Sequence, residues 1–462
     1  MFDKKSYIKR RNLLKKDVST GLILILGNNE SPMNYPANPY PFRQDSNFLY
    51  FFGIDKPGFI GLIDIDENKD FLFGENFTID DIIWMGPQPI VRDLAEKVGI
   101  KNTGNLSHIK EKIDNAILKG RKIHFLPTYR AENSLEIERL LGISNNNIKN
   151  YASEELIRAV ISQRSVKSNG EIDEIEKALD ISYEMYMAIM NRAKPGKYER
   201  ELVGEIEGII SSFGSHYSFP TILTINGETL HNHFHGNKLK KNRLLIIDSG
   251  AESPEHYASD ITRTFPVGGK FTSEQKDIYE IVLESQLCAI KSIKPGGKYR
   301  DTHLKVAEII AQGMKDLGLM KGNIEDAVEK GAHALFFPHG LGHMMGLDVH
   351  DMEDLGEDLV GYDDTVKRSD QFGLAYLRLA KKLKPDYVFT VEPGIYFIPA
   401  LIDQWSSEKR YKEYINYSKV EKFKGFGGIR IEDDVVVTSN GYRVLGRKAI
   451  PKSVKEIEEL MK

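Results

Sequence analysis

The stretch P-H-G-L-G-H-M-M-G-L-D-V-H-D at residues 338–351 places His339, His343 and His350 within twelve residues. Glycines at 340, 342 and 346 keep bulk away from them. A histidine that binds a metal or passes a proton needs a stiff, uncrowded backbone. One such histidine on its own is usually a packed core or surface residue; three in a Gly-rich setting favour a site more strongly. Carboxylates elsewhere sharpen the picture. Asp248 ends the apolar run R-L-L-I-I-D, and Asp260 follows twelve residues later. Residues 250–257 between them contain Gly and Pro, enough to fold back as a hairpin and bring the two carboxylates together. Like charges at close range cost free energy unless a cation lies between them, and a divalent metal meets that need. Alone, an Asp at a strand end is a cap or turn residue.

Two glutamates extend the set. Glu392 lies inside the apolar strand-like run F-T-V-E-P-G-I-Y-F at 389–397, where an unpaired carboxylate is costly. Glu432 lies in F-G-G-I-R-I-E-D-D-V at 426–435. Strand alternation there points Arg430, Glu432 and Asp434 to one side and Ile429, Ile431 and Asp433 to the other. Each carboxylate also has a salt-bridged structural reading. Four of them with His343 suit a closely spaced pair of hard or borderline metals better. Such a pair shares a water or hydroxide, lowers its pKa and clamps a tetrahedral intermediate.

The elements that must position these groups fall into two parts. Residues 21–150 alternate strand-like and helix-like segments, as in an α/β domain. Strands are expected at 21–26, 47–54, 58–65, 70–73 and 82–85, and helices at 91–98, 106–118 and 133–141. Residues 40–46 form a polar loop, either a domain-edge turn or a lip over a neighbouring site. Residues 152–192 read as helix with a short break near Ser168-Asn169-Gly170, after which Glu171, Glu174 and Glu176 suit the positive end of a helix dipole. A domain boundary at this break divides the chain into 1–165 and 166–462, joined by a linker short enough for the domains to dock.

Composition narrows the class. At 462 residues, 41% hydrophobic and 28% charged, the chain reads as a soluble globular protein of two or three domains. A net charge of -4 gives no general pull toward nucleic acid. Cys288 is the one cysteine, which suits a reducing compartment. No apolar run approaches the roughly 18 to 20 residues of a membrane span. The basic N-terminus lacks the apolar core of a signal peptide and fits a first helix with Tyr7, Leu13 and Leu14 on one face. A cytoplasmic, non-membrane protein is the expectation.

Taken in order, the motifs resemble those of the pita-bread metallopeptidases that cleave before proline, aminopeptidase P and prolidase. R-Q-D-S at 43–46 resembles their N-terminal domain. L-H at 230–231, D-S-G-A-E at 248–252, S-D-I-T-R-T-F-P at 259–266, H-G-L-G-H at 339–343, V-E-P-G-I-Y-F at 391–397 and G-I-R-I-E-D-D at 428–434 resemble the catalytic domain. The gap between Asp248 and Asp260 is about one residue longer than in many members, which an extra hairpin residue explains. The resemblance implies an α+β architecture: a C-terminal pita-bread fold of the creatinase/aminopeptidase type behind a smaller α/β domain. It implies two divalent metals per chain, manganese with cobalt or zinc as alternatives. Asp248 would chelate one ion, Asp260 and Glu432 would bridge both, and His343 and Glu392 would complete the other. Glu392 would also take a proton from the attacking water. His231, His339 and His350 match non-ligand histidines that bind the substrate carbonyl and carry protons to the prolyl nitrogen. Arg430 matches a residue that orients the carboxylates. Partners implied are proline-containing peptides or dipeptides, and a second or further copies of the chain as homodimer or homotetramer.

Within that class the signals divide. R-Q-D-S and D-I-T-R-T-F-P-V resemble aminopeptidase P, the reading favoured here. The run at 374–385 and the long insert 399–424 resemble prolidase, in which Arg378 would bind the free carboxylate of an Xaa-Pro dipeptide. Arg378 is equally readable as exposed on an amphipathic helix. A non-catalytic pita-bread binding protein is a further alternative, against which stands the full set of five ligands. His231, His233 and His235 would share one strand face and could pose as a zinc site, but His231 is preferred as the site residue. Residues 340–346 echo a dinucleotide loop with the last glycine displaced, and that reading is discounted. The basic run 381–385 reads as a solvated helix end.

Overall fold

The computed structural model describes residues 2–462 and separates into two units, one ending at Arg164 and the other spanning Ser165–Lys462. The first unit begins with the helix Lys4–Val18, which buries Tyr7 and Leu14. Leu13, six positions after Tyr7, falls off that face and is 39% exposed. Five strands follow: β1 (Leu22–Leu26), β2 (Ile60–Asp64), β3 (Lys69–Phe73), β4 (Asn102–Gly104) and β5 (Ile123–Phe125). They form one mixed sheet in the order β4-β3-β2-β1-β5. β1 is an interior strand, antiparallel to β2 and parallel to β5, which accounts for its uninterrupted apolar run.

Two expected strands in this unit are helices. Ser46–Phe52 is helical because the Asp45 carboxylate accepts from Phe48 N–H at 2.8 Å and Gly53 closes the other end at φ +63°. Its aromatic run is buried nearly all round, so it shows no helical period. The helix packs on β2 where there is no side chain: a Cβ on Gly61 would lie 2.0 Å from the Phe52 ring. Ile79–Met85 is helical through a Thr78/Asp81 capping box, and Trp84 on it is 86% exposed.

The second unit is built from antiparallel sheets backed by long helices. Ser168 and Glu171 cap the helix Asn169–Arg192. One sheet joins β6 (Ile222–Thr224), β7 (Leu244–Ser249) and β8 (Ile261–Pro266). Further along come β9 (Val388–Val391), β10 (Gly394–Tyr396), β11 (Gly428–Arg430), β12 (Asp433–Val437) and β13 (Tyr442–Val444). β10 pairs with β11, and β12 lies between β9 and β13. Two bridges weld these pieces together: Thr262 to Glu432, and Met344 to Phe389. The helices Ser273–Ser292 and Tyr299–Asp316 pack on each other, the former also touching β9, β10 and β11. No helix among the described residues is long and apolar enough to cross a membrane.

Candidate active site

The hairpin expected between Asp248 and Asp260 is present. β7 and β8 pair antiparallel, with Asp248 opposite Thr262 and Ser249 opposite Ile261, so Asp260 enters just before β8. Glu432 arrives beside Thr262 from the segment joining β11 to β12, and Thr262 Oγ1 donates to Glu432 Oε2 at 2.6 Å. Glu392 sits in the break between β9 and β10 rather than inside one strand; Pro393 follows it and cannot supply a ladder N–H. Its own N–H donates to Leu341 O at 2.9 Å, which ties it to the histidine loop. That loop lies directly on β9. A Cβ at Gly342 would stand 2.0 Å from Thr390 O, so glycine is required for the approach. His343 and Thr390 then bond in both directions, His343 N–H to Thr390 Oγ1 at 3.1 Å and Thr390 N–H to His343 O at 3.0 Å.

Ligand-type atoms converge as a result. One from each of Asp260, His343 and Glu432 lie within 4.8 Å of one another, and all three residues are buried. His343 Nε2 is 3.3 Å from Asp260 Oδ2 and 3.8 Å from Glu392 Oε1. With His343 Nδ1 donating to Met344 O at 3.1 Å, Nε2 carries the lone pair a metal needs. Burial and the neighbouring charges of Asp248, Asp434 and Glu392 push the Asp260 carboxyl well above its ordinary range. Burial and the charges of Asp260, Glu392 and Asp248 do the same to Glu432. Burial also raises Glu392, against the pull of His343 and Arg430. Asp248 Oδ1 and Asp260 Oδ1 are buried without a hydrogen-bond partner among the described residues. Hard oxygen donors plus one imidazole, with unmet lone pairs and mutual repulsion, fit a divalent cation.

Arg430 lies beside this group on β11. Its Nη2 donates to Asp248 Oδ2 at 2.6 Å, its Nε to Thr262 Oγ1 at 3.1 Å and its Nη1 to Tyr396 Oη at 2.8 Å. Tyr396 Oη is also 2.9 Å from His339 Nε2, while His339 Nδ1 lies 2.8 Å from Gly340 O. The self-consistent assignment is a chain: Arg430 donates to the phenol, the phenol to His339, and His339 to the Gly340 carbonyl. Burial and the Arg430 charge hold His339 neutral, its pKa pulled down to about 3. The His350 ring centroid lies 4.1 Å from that of His343 with the rings tilted at 57°, and burial lowers its pKa too. His231 lies on the wall of the same cavity, its pKa lowered by burial and by Arg430.

The cavity has a volume of about 920 Å³ and is lined by Asp248, Asp260, His343, Glu392 and Glu432, together with His231, His339, His350, Arg378 and Arg430. Three local expectations fail around it. Residues 231–235 are irregular rather than a strand; His231 and His233 line the cavity, and His235 Nε2 is taken up by Thr221 O at 3.0 Å. Residues 374–385 are not a helix: one turn at Leu374–Tyr376 is followed by irregular chain with a bend at Arg378, which lines the cavity. The run 381–385 is not a solvated helix end either. Lys381 is buried with its ammonium 5.0 Å over the Tyr387 ring, and burial brings its pKa down to about 8.

Sequence reasoning passed over Tyr396, Thr262, Thr390 and Glu353, which hold the site residues in place. For Tyr396 a signal existed: a hydroxyl in an otherwise apolar strand must find a partner.

Residues 173–439 match metallopeptidase family M24, and residues 7–124 match the aminopeptidase P N-terminal domain. The chain belongs to metallopeptidase family M24. Human Xaa-Pro dipeptidase is 32% identical over 455 residues, which cover 96% of this chain and 89% of the relative. A probable Xaa-Pro aminopeptidase of Aspergillus clavatus is 32% identical over 433 residues, 91% of this chain and 89% of the relative. Escherichia coli aminopeptidase P, solved as a glutamate-to-alanine variant in complex with substrate, superposes with a TM-score of 0.82 at 30% identity. That match covers 100% of this chain and 98% of the other. The family's pita-bread catalytic domain and its smaller N-terminal domain are thus the architecture described above, and the chain is a metallopeptidase.

Proposed function

We propose that this chain hydrolyses the bond between an N-terminal residue and a following proline, with two divalent ions held by Asp248, Asp260, His343, Glu392 and Glu432. The observation that carries the reading is the crowding of buried carboxylates on one cavity floor: Arg430 bonds Asp248, while Asp260 and Glu432 are left to repel one another. Oxygen donors with one imidazole suit manganese, with cobalt or zinc as alternatives. When bound, such ions supply Lewis acidity toward water and the scissile carbonyl. Glu392, 18% exposed at the cavity margin, accepts the proton of the attacking water. His231 and His350 bind the carbonyl oxygen and deliver the proton that the leaving prolyl nitrogen needs, while His339, with both ring nitrogens taken by Tyr396 and Gly340, shapes the cavity lining beside them. Arg430 and Tyr396 hold Asp248 and His339 in position for this.

We read the free Xaa-Pro dipeptide as the preferred substrate. Arg378 lines the cavity with its side chain 35% exposed, and a guanidinium fork suits a carboxylate. The helix Pro399–Ser407 of the long insert adds Ala400, Leu401 and Gln404 to the lining of the same cavity. The aminopeptidase P reading keeps its support in the full-length likeness to the Escherichia coli enzyme and in R-Q-D-S and D-I-T-R-T-F-P-V. Manganese-supplemented assays on an Xaa-Pro dipeptide and an Xaa-Pro-Xaa-Xaa peptide decide between them. The dipeptide is expected to be cleaved faster. Arg378→Ala is expected to raise its KM about 10- to 100-fold, the worth of one charge-assisted hydrogen bond. Equal or faster cleavage of the longer peptide, with the Arg378 variant unchanged, would overturn the dipeptide reading in favour of aminopeptidase P.

A further inference from the structure

His350 and Arg378 both line the cavity, and Glu353, which does not line it, links them into one continuous polar chain. Glu353 Oε2 lies 3.3 Å from His350 Nδ1, and the same oxygen accepts a hydrogen bond from Arg378 Nη1. The Arg378 guanidinium also lies 3.6 Å from Glu357 Oε2. The Glu353 side chain is 17% exposed, about half the exposure of either partner. It is therefore not the tip of a solvated surface chain.

The backbone holds it there. Asp351 and Lys167 pair at 2.8 Å with both side chains 1% exposed, pinning the loop immediately after His350. Met352, fully buried, takes φ +65°, a left-handed conformation unfavourable for a side-chain-bearing residue. That residue turns the chain into Glu353–Leu355, with Glu353 within reach of His350 Nδ1.

One carboxylate oxygen thus serves two partners. A substrate carboxylate arriving at Arg378 competes with Glu353 for the guanidinium and repels its charge. As the guanidinium turns to the substrate, Glu353 keeps His350 as its partner. We propose that Glu353 is a positioning and specificity-determining residue that couples occupation of Arg378 by a substrate carboxylate to the orientation of His350. A substrate with a free carboxylate next to the cleaved bond then turns over faster than the same substrate without it. The inference rests on the dipeptide reading above.

The test compares an Xaa-Pro dipeptide with its C-terminal amide, in the manganese-loaded full chain. Glu353→Gln keeps the shape and removes the charge. The expected result is a lower dipeptide KM, because repulsion is relieved, together with a roughly tenfold loss of the kcat preference for dipeptide over amide. KM for the amide should stay near wild type. Glu353→Asp keeps the charge but cannot span both partners, and should lose the same preference. Equal kcat losses on both substrates in both variants, or no change on either, would overturn the inference while leaving the functional reading intact. Absence of wild-type turnover on the dipeptide and on longer Xaa-Pro peptides would remove the functional reading itself, and this inference with it.

Discussion

Glu432 and Asp433 are neighbours in sequence, both buried, and their surroundings oppose each other. Asp433 faces Arg263 Nη2 at 2.6 Å, Lys452 Nζ at 2.5 Å and Gln286 Nε2 at 2.8 Å. Burial alone would raise its carboxyl, but the two cations outweigh burial and bring its pKa down to about 2. Glu432 faces Asp260, Glu392 and Asp248, and its carboxyl is driven well above the ordinary range. Both belong to one short segment whose side chains alternate across the sheet. One face is neutralised by the protein's own cations and holds the fold together. The other is left with excess negative charge, an unfavourable state for a core unless a cation from outside completes it. Stability and chemistry are thus separated by a single step along the backbone.

The contrast breaks most sharply at the uncompensated face. Asp260→Asn or His343→Ala should lower kcat/KM on the order of 10³-fold, the scale of losing one preorganised charge-stabilising group, and should abolish metal uptake measured per chain. Retained turnover in a metal-free variant would sink the assignment. At the compensated face, Asp433→Ala leaves Arg263 buried without its carboxylate. Denaturant unfolding should show a loss of about 3–5 kcal/mol, while metal content of the folded fraction stays at the wild-type level.

Acid should distinguish the same face. A carboxyl depressed on folding adds stability above its unfolded pKa, and that stability is lost as pH falls through the folded value. For Asp433 the window runs from its ordinary 3.8 down to about 2. Wild type should lose about 2 kcal/mol there that Asp433→Asn does not lose, as read by unfolding titrations at each pH. The smallest effect expected is at Tyr396→Phe. Removing the hydroxyl cuts the chain from Arg430 to His339 without touching a ligand, so kcat/KM should fall about 10- to 100-fold with metal content unchanged. A parallel loss of metal would instead make Tyr396 part of the metal shell.

Much of the site was legible in the sequence because its chemistry is written in residue type and order. The Asp248–Asp260 hairpin follows from an apolar run, a Gly/Pro turn and a second strand, and the side assignments of residues 429–434 follow from strand period. Residues 46–52 and 79–85 were not legible as helices. Their apolar residues run together, and the deciding features are end effects: a capping Asp45 with Gly53, and the Thr78/Asp81 box. The helix expected around Arg378 and the solvated setting expected for Lys381 fail for a different reason, although Arg378 does line the cavity. A run that alternates Leu, Ala and Lys fits an amphipathic helix on local propensity, but tertiary pairing takes its backbone groups instead, Lys382 bridging to Lys298 and Ala380 N–H donating to Gly361 O.

By itself the sequence determined which groups are available and in what order they arrive: the histidine loop, the two Asp–strand motifs and the two Glu-bearing runs. Tertiary structure alone decided which carboxylates stay uncompensated. Arg263 reaches Asp433 across 170 residues of chain, and Arg430 reaches Asp248 across 182. The charge on a buried carboxyl depends on burial and on partners a few ångströms away, and neither is a property of its neighbours in sequence. The same holds for Glu353. Its reach to His350 is local, but its meeting with Arg378 exists because two loops 25 residues apart pack against each other.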